Sequence, residues 1–85
     1  MEKNDQLFIQ LIYIFHSSAM QALGKVKSPV TGEIEKNMDQ AKQAIEILEM
    51  LKARTMGNLS QDMIKTLDTF LTEIKLNYVE EVNKK

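Results

Sequence analysis

The side chains able to do chemistry are few. His16 is the only histidine, and the 85 residues hold no cysteine. Disulfides, thiolate metal sites and thiol nucleophiles are thereby excluded, and a reducing cytoplasm suits the chain. A metal centre needs several donors converging on one point, and Asp5 and Glu2 lie too far upstream to share a turn with His16. His16 sits inside an apolar arc, so it reads as a packing or interface histidine, or as a pH-responsive contact between copies. Ser17-Ser18 lacks the G-x-S-x-G elbow and has no second histidine as its base, so a hydrolase triad has no support. Glu35 and Asp39 fall on a solvated face, and Glu80-Glu81 is placed near a fraying end. Neither setting implies the burial that raises a carboxyl pKa for acid–base work. Glu-x-x-His pairs, which a di-iron bundle requires, are missing. The expectation is a non-enzyme with no catalytic residue, no metal and no cofactor.

The remaining constellation is the corner Arg54-Thr55-Met56-Gly57-Asn58-Leu59-Ser60. Arg54, the Asn58 amide and a helix N-terminus at Ser60 could together meet an anion. The same residues also make an ordinary corner between two helices. Gly57 supplies the positive φ that ends one helix, with Lys52 and Arg54 opposing the negative end of its dipole. Ser60 caps the next helix, Asp62 adds charge to its first turn, and Leu59 with Ile64 has the spacing of a hydrophobic staple. A second basic stretch, Lys25 to Glu33, contains Ser28-Pro29 and Thr31-Gly32 but no Gly-rich repeat and no preceding strand, so it is a loop rather than a phosphate cradle.

Three helical patterns must position these groups. The first runs over about 6–23, capped by Asp5 or Asn4 and stopped by Gly24, with Met1 to Asn4 fraying. Phe8, Leu11, Ile12, Phe15, Ala19, Ala22 and Leu23 form one stripe, and Ile9, Tyr13, His16 and Met20 form a second beside it. Leu7 and Ile14 widen the arc from the other side. So broad an apolar surface needs neighbours on more than one side. The second helix spans about 34–54, with Ile34, Met38, Ala41, Ala44, Ile45, Leu48 and Leu51 on one face. The third spans about 61–82, with Met63, Leu67, Phe70, Leu71, Ile74, Tyr78 and Val82 as its stripe and 83–85 fraying.

Size and charge bound the rest. A chain this short is one domain, 1–85, and buries only roughly 60–65% of its unfolded surface, which makes self-association an early expectation. Eleven basic and 12 acidic residues give a net charge of −1 and no electrostatic case for nucleic acid. No formal charge occurs from Gln6 to Gly24, close to the ~20 residues that span a bilayer. Gln6, Gln10, His16, Ser17, Ser18 and Gln21 interrupt that run, and Met-Glu-Lys-Asn-Asp is not a positive signal-peptide n-region, so neither a span nor a signal peptide is expected.

The order of these features resembles a small bacterial family of helical proteins, a domain of unknown function. Its members share an Ala near the end of the first helix followed by Leu-Gly, then a Pro…Gly loop. Ala-Lys…Ile-Asp…Leu…Leu, Lys-Thr-x-Gly-Asn-Leu-Thr and a final Leu-Arg…Tyr-Val follow. Here the corresponding residues are Ala19, Leu23-Gly24, Pro29 and Gly32, then Ala41-Lys42, Ile45-Glu46, Leu48 and Leu51. The corner Arg54 to Ser60 is the most specific part, and Ile74-Lys75 with Tyr78-Val79 closes the series. Glu46, Arg54 and Ile74-Lys75 depart conservatively from the pattern. The resemblance covers about 8–79 and implies a helical fold in a bacterial cytoplasm, with no activity or site residue to carry over.

The sequence therefore predicts an all-α, three-helix domain: a helical hairpin plus an N-terminal helix laid across or along it, assembled as a homodimer or other homo-oligomer. The expected role is protein–protein interaction through Ile9, Tyr13, His16 and Met20, with itself or with a different protein. A small-ligand or anion-binding regulator using Arg54, Asn58 and Ser60 is one alternative, and a membrane-surface adaptor is another.

Overall fold

In the computed structural model, which describes residues 3–84, the chain forms α1 (Lys3–Ala22), α2 (Met38–Arg54) and α3 (Gln61–Asn83). The three helices pack together, each touching the other two, and no strand occurs among the described residues. The first helix begins earlier than expected. Lys3 and Asn4 are helical, and Asp5 stands inside the first turn, where its charge still favours the N-terminal end of the dipole. Met1, Glu2 and Lys85, expected to fray, lie outside the described residues.

The end of α1 follows from Gly24. At φ +78° it lets Gly24 N–H donate to Gln21 O (3.0 Å) and Lys25 N–H to Met20 O (2.9 Å), the paired bonds of a Schellman close. The chain then makes an excursion through 23–37 and returns to where it left. Asn37 N–H donates to Ala22 O at 2.8 Å, so the loop's two ends are joined. Within it, Ser28 N–H donates to Glu33 O and Gly32 N–H to Ser28 O, each at 2.8 Å. These internal bonds make it an Ω-loop rather than a slack tether.

The second helix starts at Met38, not at Ile34. Asn37 is its N-cap, with extended backbone and a side-chain oxygen that accepts from Gln40 N–H at 3.1 Å. Ile34 keeps helical spacing with Met38 but belongs to the loop, where it lies against Gly24. The tie between Asn37 and Ala22 holds the chain extended there, and local periodicity could not report it.

The corner between α2 and α3 forms as its residues dictate. Thr55 caps α2, its hydroxyl donating to Leu51 O at 2.6 Å, and Gly57 takes φ +86°. Ser60 Oγ accepts Met63 N–H at 3.3 Å and opens α3. The helices run up, down and up. Ser18–Gln40 and Ala22–Asn37 contacts set α1 antiparallel to α2, while Lys52–Asp68 and Glu49–Lys75 set α2 antiparallel to α3.

The α2–α3 hairpin is present, and α1 lies along it rather than across, with its broadest contact on α2. Ala19 and Ala22 from α1 and Ala41 and Ala44 from α2 are all buried in the core. Small side chains bring helix axes closer, which favours this seam. Ile12, Leu23, Leu48, Leu67 and Ile74 fill the space between the three helices and are fully buried.

Candidate functional site

The surface of α1 divides into three parts. Ile12, Ala19 and Ala22 are buried, and Phe8 and Phe15 pack half-buried beside them. The second part faces α3. The His16 ring lies 4.4 Å from Phe70, and its Nε2 stands 3.0 Å from Glu73 Oε1. The carboxylate that His16 lacked on its own helix comes from α3. Tyr13 meets Phe70 edge-on at 6.0 Å, Met20 packs against the core, and Ile9 is half-buried. Of the four residues expected at an interface, only Tyr13 keeps most of its surface exposed; Ile9, His16 and Met20 are half-buried within the chain's own fold.

The third part faces outward. Leu7, Leu11 and Ile14 are 50%, 38% and 61% exposed, and Tyr13, on the side turned to α3, is 58% exposed. Leu7, Leu11 and Ile14 recur at steps of four and three, so they form one strip along the helix. Ser18 continues the strip and enters a shallow groove lined by Phe15, Ser18, Gln40, Gln43, Ala44 and Ile47. None of these six carries a charge. On α2, half-buried Ile47 and exposed Met50 extend the far wall of the groove.

A charged cluster stands at the opposite end of α1. Glu81, only 8% exposed, bonds Lys25 Nζ (3.0 Å), Lys84 Nζ (2.8 Å) and Lys36 Nζ. Glu80 accepts a further bond from Lys25 at 3.2 Å. These bonds, Lys36 first, then Lys84 and Lys25, hold the Glu81 carboxyl down at about 2. Hydrogen bonds from Glu81, then Glu80, hold the Lys25 ammonium above its usual range. The cluster joins both arms of the Ω-loop to the last turns of α3. Glu81 is therefore not at a frayed end, and its pKa is lowered, not raised. Val82, placed on the core stripe by its sequence position, is exposed instead. A signal for this was present, since Glu81 follows Ile74 by seven residues and Tyr78 by three, at the centre of the stripe.

The α2–α3 corner holds Arg54, Asn58 and Ser60 on its exposed side. Ser60 Oγ already accepts the α3 cap bond, and the Asn58 backbone N–H donates to Thr55 O at 2.9 Å. Beside the corner, a groove between α2 and α3 carries both signs of charge, Lys52 paired with Asp68 and Lys75 with Glu49. Among the described residues, no group of three or more His, Cys, Asp or Glu side chains could hold a metal ion. No helix among them is long and apolar enough to cross a membrane.

The profile of one family, described as "Domain of unknown function (DUF1844)", matches residues 5–80, nearly the whole chain. The chain belongs to the DUF1844 family. That match covers α2, the Ω-loop, the corner and all but the outer ends of α1 and α3, so the apolar strip of α1 and the groove lie on the family's domain. DUF1844 membership assigns no activity. Comparison with curated proteins and with solved structures gave no match.

Proposed function

We propose that the chain is a non-enzymatic helical interaction module of the bacterial cytoplasm, and that it self-associates through the outer strip of α1. The observation that carries this reading is the exposure of Leu7, Leu11 and Ile14 on a helix with no formal charge from Gln6 to Gly24. Tyr13, the one residue of the sequence-derived interface that keeps most of its surface exposed, lies on the α3-facing side of α1, away from this strip. Ile9, His16 and Met20 lie on the side of α1 turned to α3 and take no part in the strip.

Surface area supports the same reading. The chain exposes 5993 Å². A compact monomer of its 9.8 kDa mass would expose roughly 5,200 Å². The surplus of about 800 Å² follows from the flattened outline of the molecule, which leaves the strip uncovered. The absence of charge along the strip lets two copies meet without like-charge repulsion or ion desolvation.

Light scattering on the wild type at high micromolar concentration should give twice the 9.8 kDa chain mass. Leu11→Glu with Ile14→Glu should give the single-chain mass with unchanged helical circular dichroism. A wild type that remains monomeric at that concentration overturns the proposal.

A further inference from the structure

We infer that two copies pair with their α1 helices antiparallel about a two-fold axis near Leu11. Each α1 strip then seats on the groove between α1 and α2 of the other copy. The inference rests on the self-association proposed above and adds its direction, its centre and the α2 residues that share it.

The register of α1 against α2 identifies those residues. Ser18 Oγ accepts from Gln40 Nε2 at 3.4 Å, and Ala22 O accepts from Asn37 N–H at 2.8 Å. Both contacts set the same antiparallel alignment. Seven residues further along each helix, Leu11 stands level with Ile47, and another turn brings Leu7 level with Met50. The exposed apolar surface is thus two helices wide. Its floor is the uncharged groove of Phe15, Ser18, Gln40, Gln43, Ala44 and Ile47. A second uncharged strip bearing leucine, isoleucine, glutamine and serine matches that floor, because it buries methyl groups on methyl groups and offers amides to amides.

Charge selects the direction. A parallel pair would set Lys3 beside Lys3 and Asp5 beside Asp5, with the helix dipoles side by side in the same sense. The antiparallel pair sets each charged N-terminal turn beside Ser17 and Ser18 of the other copy, and it opposes the dipoles. Leu11 lies near the middle of the Leu7–Ile14 strip, so reversal about it lays Leu7 of one copy across from Ile14 of the other. A two-fold pair of this kind closes on itself and leaves no apolar strip for further growth.

The cysteine-free chain permits a direct test. Single cysteines are placed at Leu7, Leu11 or Ile14 in the full chain, and each variant is mildly oxidised. Leu11→Cys should form a covalent dimer. Leu7→Cys and Ile14→Cys should each stay uncrosslinked alone and crosslink when mixed. Comparable self-crosslinking at all three positions means a parallel pair and overturns the inference. So does a dimeric mass with no crosslink at Leu11→Cys. Ile47→Glu, with helicity unchanged, should weaken dimerisation at least tenfold, and an unchanged dimerisation constant overturns the role of the groove. A monomeric wild type overturns the underlying self-association itself. If that monomer floats with anionic liposomes, the strip belongs to a lipid surface and the pairing is likewise overturned.

Discussion

Glu81 assembles the far end of the molecule: buried on α3, it receives Lys25 and Lys36 from the two arms of the Ω-loop and Lys84 from its own helix end. Its carboxyl falls from the ordinary 4.5 to about 2, because Lys36, Lys84 and Lys25 stabilise the ionised form. A lowered folded-state value stabilises the fold above the unfolded value, and that contribution is lost as pH falls from about 4.5 to about 2. Glu81→Gln should therefore lower the melting temperature at neutral pH, and the gap from wild type should close as pH approaches 2. Thermal melts followed by circular dichroism across that range check it, and a gap independent of pH would remove Glu81 as the titrating group. The position of Glu81 on the helical stripe was legible in the sequence. Its partners were not, because a stripe says which residues face inward and nothing about which distant lysines meet them. His16 illustrates the same gap, since Glu73 and Phe70 reach it from α3.

At the scale of elements, the α1–α2 seam depends on small side chains and a single cap. Ala41 is fully buried in the core shared by the helices, so Ala41→Leu should cost about 1–3 kcal/mol through overpacking. Asn37→Ala removes the oxygen that accepts Gln40 N–H and should cost about 1 kcal/mol. Ala53→Leu, on an exposed part of the same helix, should stay within about 0.5 kcal/mol. Urea unfolding of the three variants gives this ordering directly, and equal costs for Ala41→Leu and Ala53→Leu would contradict the seam. The corner at Gly57 and Ser60 was readable because each residue acts on its own neighbours. The start of α2 was misplaced at Ile34 because Asn37 is also held by Ala22, in a different helix.

The whole molecule is flattened, 41 × 27 × 16 Å, with a radius of gyration of 13.6 Å. A compact chain of 85 residues would have about 12 Å. Three helices cannot enclose an α1 that is apolar around most of its circumference. Covering the remaining strip with a second copy couples folding to association. The melting temperature should then rise with protein concentration, since a hundredfold increase favours the bound state by about 2.7 kcal/mol. Leu11→Glu with Ile14→Glu should melt at one temperature whatever its concentration. Calorimetry over two decades of concentration separates the cases, and a wild-type melt independent of concentration counts against the association.

By itself the sequence determined three helices, the caps that separate α2 from α3, and an opening helix with more apolar surface than its companions can bury. These follow from nearest-neighbour chemistry and from a period of 3.6 residues, both of which are local. Only the tertiary structure decided how that surplus is shared. The alanines meet α2, His16 and Tyr13 meet Phe70, and Leu7, Leu11 and Ile14 are left outside. The physical reason is that helical periodicity states which residues share a face, whereas the partner of each face is chosen by how closely whole helices can approach.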